Sequence, residues 1–543
     1  MVMVDTAGEY RARGWWRDET FLDDLRRGVR DYPAKAALIA GRDSGAQTRI
    51  FDYAELADLT DRFAGTLIRL GVKRGEVVAV QLPDWWELLP LGLACMRIGA
   101  VFCPLMMIYR RYELEHILRL TGARVCITVG EWDGAALADI VTGLAAELPG
   151  LEHVVVADTR PAAAGQADPL SFEAQFHRAR PGLASELDGR ELGPDEPFLI
   201  LFTSGTTGES KGVLHSQNTL YSAGRGYADA LGYDERTVAF VAHVSTHYTG
   251  FVQGMLVPIM LGGTAVVQDV WDAEVFADLA QRHGVTTFYG SGSFLADLIA
   301  AQRANPRDVH RLGLVVTGSA PVPPHVVGEI QEVFGIRTAA LWGMTENGPV
   351  TMTRVDDPPD WAAHSDGRPI DGMQLRIDTS AVPGRSDGSG QLWVRGPGQC
   401  LGYFKRAQMY AQTLDPDGWF DTGDLARDDG RGGIRITGRV KDLVSYKGFN
   451  VPVGAVEAAL AGHPQVREVA IIGLFGESGD EVVCAVVVPE GEPPKLEDLR
   501  AHMADAGFSE WFWPCQIEVA DALPKTVTGK VRKVELRERF GGV

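Results

Sequence analysis

Short, almost unbroken apolar runs recur along this chain, separated by longer stretches with helical spacing. The runs at 77–82, 125–129, 153–156, 198–202, 264–268, 286–289 and 312–317 predict buried strands, because a strand covered on both faces is apolar at every position. Their alternation with helices predicts wound, largely parallel sheets. The most apolar stretch, 88–108, is broken by Pro90, Arg97 and Pro104, so it predicts a helix over 85–97 and a buried strand over 100–103, with no membrane span. From Gly367 the texture changes to short β-like pieces between Gly and Pro, including 391–395 and 435–437, which predict a small barrel or distorted antiparallel unit. A further boundary falls at 438–442. Beyond it come a helix (453–461), strands (466–474 and 481–488) and another helix (495–506), an α+β unit of about a hundred residues. The expected fold class is α/β, with a large domain at 1–437, a boundary segment at 438–442 and a small domain at 443–543.

A chain of 543 residues, 45% hydrophobic, can bury several cores. Its formal charge of −20 argues against broad binding to nucleic acid or anionic membranes, while leaving room for a local basic site. Six cysteines, at 95, 103, 126, 400, 484 and 515, lack metal-ligand spacing; free thiols in a reducing, cytoplasmic compartment are expected, without disulfides or zinc. The first residues lack the apolar core of a secretion signal. Residues 158–168, rich in Ala, Gly and Pro, predict an exposed connection without chemistry.

The densest chemical signal is Thr203-Ser204-Gly205-Thr206-Thr207-Gly208-Glu209-Ser210-Lys211-Gly212, behind an apolar strand. Glycines let backbone N–H groups face an anion, hydroxyls add donors and Lys211 adds a point charge, a mixture suited to a polyphosphate. A Walker A loop requires Gly-Lys-Ser/Thr after four spacers, whereas here the lysine precedes a glycine. The segment predicts a nucleotide loop of another kind.

Five more segments follow in order: Thr317-Gly318-Ser319-Ala320-Pro321, Trp342-Gly343-Met344-Thr345-Glu346, Gly418-Trp419-Phe420-Asp421-Thr422-Gly423-Asp424, Gly438-Arg439-Val440-Lys441-Asp442 and Pro524-Lys525-Thr526-Val527-Thr528-Gly529-Lys530. From about residue 15 to the end, the set resembles the adenylate-forming superfamily of acyl-CoA synthetases, adenylation domains and luciferases. The texture near Thr249-Gly250-Phe251 and Trp342 to Gly348 is most similar to bacterial ligases for medium-chain, alicyclic or aryl acids. The resemblance implies a large domain of two wound sheets and a small β-barrel, with a small domain that rotates about a hinge at 438–442. It also implies two-step chemistry: a carboxylate attacks the α-phosphate of Mg-ATP, giving an acyl-adenylate and pyrophosphate, and a thiol, normally of CoA, then displaces AMP. Phosphoryl chemistry of this kind relies on positioning and charge neutralisation.

Residue by residue, the resemblance implies that Thr203, Ser204, Gly205, Thr206, Thr207, Gly208 and Lys211 close over the outer phosphates, and that Thr345 touches the α-phosphate. It implies that Glu346 ligates Mg²⁺, as a hard oxygen donor suits that ion. Gly318, Ser319 and Ala320 would line adenine and ribose, Asp424 would accept from the ribose hydroxyls, and Arg439 would reach the ribose or a phosphate. Lys530 is the lysine brought in for adenylation, Lys441 marks the hinge, and Gly448 faces the thiol tunnel. His247 gates the acid pocket, whose walls are expected at 246–251, 290–293, Gly318 and Trp342, Gly343 and Met344.

Departures from the family pattern bear on the acceptor more than on adenylation. Ser210 replaces a usual proline, and Val244, with His243 before it, replaces another; an extra histidine near the acid could read a polar substituent. Phe449 follows Gly448 where Glu is usual. Trp511, Phe512, Trp513 and Pro514 predict domain packing. The acceptor is therefore expected to be CoA, with a separate acyl carrier protein, or a small nitrogen nucleophile such as an amine or nitrite in secondary metabolism, as alternatives.

Overall fold

The computed structural model describes residues 6–42, 47–157, 170–176, 186–203, 210–318, 324–381, 388–439, 444–446, 449–451, 453–475, 481–506, 508, 510–526 and 529–541. Two large mixed sheets and a four-stranded antiparallel sheet occupy most of the chain, and a three-stranded sheet lies near the C-terminus. The fold is that of an α/β protein. Seven predicted apolar strands are present, with ends shifted by a residue or two.

In the first sheet, Val77–Val80 pairs in parallel with Val101–Pro104 and Val125–Val129, and His153–Ala157 extends it. Pro197–Thr203 joins on the other side and turns back as the antiparallel strand Lys211–Ser216. In the second sheet, Val238–Val241, Thr264–Gln268, Thr287–Tyr289, Leu314–Gly318 and Arg337–Met344 run parallel. Its edges are antiparallel. Gly348–Met352 returns beside Arg337–Met344 at one edge. At the other lies an N-terminal hairpin, Ala36–Arg42 with Gln47–Asp52, whose first strand pairs with Thr264–Gln268. Both sheets are thus largely parallel, as the apolar runs predict, with antiparallel strands at their edges.

Helix starts follow from local side chains. Asp52 accepts from Glu55 N at 2.8 Å while Glu55 accepts from Asp52 N at 3.1 Å, a reciprocal cap for Tyr53–Arg69. Ser216 and Thr219 cap Gln217–Leu231 in the same way. One apolar cluster joins both large sheets: Phe63, Leu89 and Phe102 from one side meet Phe251, Val316 and Leu341 from the other. The helix predicted over 85–97 runs Leu88–Ile98 and is buried at almost every position. Among the described residues, no helix is long and apolar enough to cross a membrane.

The short β pieces after Gly367 form the antiparallel sheet of Gln374–Asp378, Gly390–Arg395, Phe420–Asp428 and Ile434–Arg439. Beyond it, Val466–Phe475 and Glu481–Pro489 pair and alternate after a register shift between Val466 and Glu468. Ile471, Val483, Ala485 and Val487 face the helices Val453–Leu460 and Leu496–Asp505, while Ile472, Cys484, Val486 and Val488 face Leu523 and Leu536. Phe512 and Trp513 pack on the first of these cores. The helix Val453–Leu460 also lies against Ile434–Arg439. All six cysteines are free thiols, five of them buried. The stretch expected as an exposed connection, 158–168, lies outside the described residues.

Candidate active site

Strand ends and turns from three sheets, with a turn near the C-terminus, converge on one cluster of charges. The hairpin Pro197–Thr203/Lys211–Ser216 brings Thr203 opposite Lys211, so the hydroxyl-rich loop starts and ends at one place. Ser204, Gly205, Thr206, Thr207 and Gly208 lie outside the described residues, as do Ser319, Ala320, Lys441 and Gly448. Lys211 sits 4.9 Å from the centre of the Tyr403 ring, a cation–π contact. Tyr403 stands on the strand Gly402–Tyr403, paired with Val213, and its hydroxyl donates to Glu346 Oε1 at 2.9 Å.

Thr345, Glu346 and Asn347 form the turn between Arg337–Met344 and Gly348–Met352. Cys400 N donates to the Glu346 carbonyl at 2.7 Å. Behind the turn, His215 Nε2 lies 2.7 Å from the Thr345 carbonyl and its Nδ1 lies 3.0 Å from Thr219 Oγ1. Complete burial lowers the His215 pKa to about 4, the Thr345 carbonyl opposing, so the ring is neutral and Nε2 carries the proton it donates. Burial raises the pKa of Glu346, and Tyr403, Lys211 and Arg439 oppose that rise.

Asp424 is paired across the antiparallel sheet with Arg439. Its Oδ1 lies 3.0 Å from Arg439 Nε, and its Oδ2 accepts from Trp342 Nε1 at 3.0 Å. A carboxylate 5% exposed is thereby fixed by donors from two sheets, with lone pairs left for further donors. Gly318 is buried opposite Leu341, next to Trp342; a Cβ there would meet the Leu341 carbonyl at 2.5 Å, so the close approach excludes a side chain. Gly343 and Met344 end the strand that carries Trp342.

Lys530 comes from the far end of the chain, in a turn closed by Thr526 N donating to the Lys530 carbonyl at 2.7 Å and Lys530 N donating to Thr526 Oγ1 at 3.1 Å. Lys525 anchors that turn through an ion pair with Glu468. Lys530 is exposed, with neighbouring protein displacing part of its solvent. That loss of bulk solvent, with repulsion by Arg439, lowers its pKa, while Asp424 and Glu346 act in the opposite sense. The same ammonium helps to lower the pKa of His247 to about 4, burial being the larger cause. Lys530, Glu346, Asp424, Arg439 and His247 therefore share one electrostatic neighbourhood.

His247 precedes a buried π-helix, Thr249–Leu256, and its Nδ1 accepts from Thr249 N at 3.3 Å. Gly250 explains the tight path here: a Cβ would lie 2.2 Å from the Val244 carbonyl oxygen. Asp84 holds the same loop from outside, Oδ1 accepting from Ser245 N at 2.5 Å.

Sequence reasoning missed Tyr403 and His215, which tie the loop hairpin to the Thr345 turn. The only signal for Tyr403 was a Gly-Tyr pair in a turn-rich stretch; His215 sits in an ordinary strand ending.

Residues 25–404 match the AMP-binding enzyme family, and residues 455–530 match the AMP-binding enzyme C-terminal domain. The chain is 28% identical over 532 residues to the medium-chain fatty-acid–CoA ligase of Escherichia coli (strain K12), covering 97% of this chain and 92% of that protein. It is 29% identical over 544 residues to the salicyl-AMP ligase/salicyl-S-ArCP synthetase of Mycobacterium tuberculosis, covering 99% and 94%. Among solved structures, ATP-bound MatB from Rhodopseudomonas palustris superposes with a TM-score of 0.81 at 26% identity, covering 96% of this chain and 99% of that one. By its motifs, its fold and these matches, the chain belongs to the family of AMP-binding, adenylate-forming enzymes.

Proposed function

We propose that the chain activates a small aryl, alicyclic or medium-chain carboxylic acid with ATP, releases pyrophosphate, and transfers the acyl group to CoA. The observation that carries this reading is the convergence of Lys530, from the terminal lobe, on Glu346 and Asp424 of the large lobe and Arg439 of the connecting segment. A reaction that brings a carboxylate onto a polyphosphate needs cations assembled at that point.

In the first step a carboxylate oxygen attacks the α-phosphorus, the bond to the bridging oxygen breaks, and pyrophosphate leaves with its electron pair. Lys530 neutralises the carboxylate and α-phosphate as they approach, and Thr345 donates to the α-phosphate. Thr203, Ser204, Gly205, Thr206, Thr207, Gly208 and Lys211 hold the outer phosphates. Asp424, oriented by Trp342 and Arg439, accepts from the ribose hydroxyls; Gly318, Ser319, Ala320, Gly343 and Met344 border the nucleotide. Glu346 suits Mg²⁺: a lone buried carboxylate whose ionisation burial opposes gains from a dication. Among the described residues no group of three or more His, Cys, Asp or Glu side chains could hold a metal, so phosphates and water would complete the shell. Bound there, the ion would neutralise phosphate charge.

In the second step the CoA thiol attacks the acyl carbonyl and the bond to AMP breaks. The small lobe, 443–543, turns about 438–442 at Lys441 relative to 1–437, withdrawing Lys530 and presenting Gly448 to the thiol. His247 gates the acid pocket. A separate carrier protein as acceptor is the second reading, supported by the likeness to a salicyl-S-ArCP synthetase.

The test is a panel of aryl, alicyclic and medium-chain acids with Mg-ATP and CoA, with pyrophosphate and products measured. Acid-dependent pyrophosphate, AMP and an acyl-CoA are expected. ADP and phosphate in place of AMP and pyrophosphate, or no acyl-CoA with any acid that releases pyrophosphate, would contradict it.

A further inference from the structure

His243 is 2% exposed, and neither of its ring nitrogens has a hydrogen-bond partner. Burying such a group unsatisfied costs on the order of 1–3 kcal/mol, a cost that Phe or Leu would avoid. Its surroundings are otherwise aromatic: Tyr289 with ring centres 5.1 Å apart, Phe294 edge-on at 5.5 Å, and His247 nearly parallel at 6.5 Å. Those residues come from the end of Thr287–Tyr289, the start of Gly292–Ala304 and the loop before the π-helix. The imidazole thus stands where three elements meet behind His247.

Resting on the proposed acid activation, we infer that His243 is a specificity-determining residue that hydrogen-bonds an uncharged hydroxyl or amino substituent on the body of the acid. A buried unpaired polar group among aromatic rings is a site for a ligand's polar atom. Burial, then the nearness of His247 and Lys530, lowers the pKa of this ring to about 3, so it is neutral. A neutral imidazole offers one donor and one acceptor, which matches a hydroxyl. A second carboxylate would find no cationic imidazole there. Sites built around such a group reject the analogue that lacks the partner far more strongly than apolar pockets reject an extra methylene.

The test uses matched acids: benzoic against 2-, 3- and 4-hydroxybenzoic and aminobenzoic acids, and cyclohexanecarboxylic against its hydroxylated forms, each read as kcat/KM for pyrophosphate release. The wild-type enzyme is expected to favour one substituted acid at least about tenfold over its parent. His243→Phe is expected to cut that ratio about tenfold or more, mainly through KM for the acid, and His243→Gln, which keeps a donor and an acceptor, to restore part of it. Equal losses on both members of every pair would make His243 a packing residue and overturn the proposal. So would a wild-type preference for every unsubstituted parent, a result that needs no variant to fold. Pyrophosphate release without preference defeats this inference alone; no release with any acid defeats the acid-activation reading itself.

Discussion

One phenol stands between a lysine and a carboxylate. Tyr403 carries Lys211 on its ring face and donates a hydrogen bond to Glu346, and burial beside that carboxylate keeps the phenol protonated and donating. Tyr403→Phe keeps the ring and removes the donor. A hydrogen bond to a charged acceptor contributes about 1.5–3 kcal/mol, so kcat/KM for Mg-ATP is expected to fall about ten- to a hundredfold near neutral pH. Since Tyr403 opposes the burial that raises the Glu346 pKa, the acidic limb of the profile should move to higher pH. An unchanged profile would separate Tyr403 from Glu346. Glu346, Asp424, Arg439 and Lys530 were legible because each stands in a dense motif. Tyr403 and His215 were not, because their partners lie 57 and 130 residues away and their own surroundings carry no pattern.

Elements covered on both faces were the easiest to read, since Val125–Val129 and Pro197–Thr203 are apolar for almost their whole length. The strand Gln47–Asp52 buries only Phe51, and Lys211–Ser216 has only Val213 and Leu214 as neighbouring apolar residues, so neither left an apolar run. The helix Leu88–Ile98 was legible, but its start was not: it is preceded by Glu87, whose side chain makes no capping bond and is 4% exposed. Arg42, stacked 3.5 Å from the centre of the Trp85 ring, lies 3.6 Å from Glu87 Oε1. Burial raises the Glu87 pKa to about 7, only partly offset by Arg42. The folded chain therefore holds this proton more tightly than the unfolded one. Its contribution to stability is present below the unfolded pKa of about 4.3 and is lost as pH rises toward 7. Glu87→Gln should remove that loss, so that its melting temperature relative to wild type improves from pH 5 to pH 8, by the equivalent of about 3 kcal/mol. A difference constant across that range would contradict the assignment.

Across the whole molecule, a net charge of −20 coexists with a focus of Lys211, Arg439 and Lys530 around two carboxylates. Such a focus suits a small polyanion and leaves the rest of the surface acidic. The small antiparallel sheet after Gly367 was legible as a change of texture, because it is built from shorter, Gly-punctuated strands. The approach of Lys530 to Glu346, Asp424 and Arg439 was not, because a long stretch of sequence separates Lys530 from each of them. Lys530 is the residue on which the account turns, since it is assigned to one half-reaction and not the other. The decisive measurement compares Lys530→Ala with wild type in two assays: acid-dependent pyrophosphate release, and CoA thiolysis of a supplied acyl-adenylate. The first is expected to fall by about a hundredfold or more, the scale of a lost transition-state contact, while the second keeps most of its rate. Undiminished pyrophosphate release, or equal loss in both assays, would contradict the account.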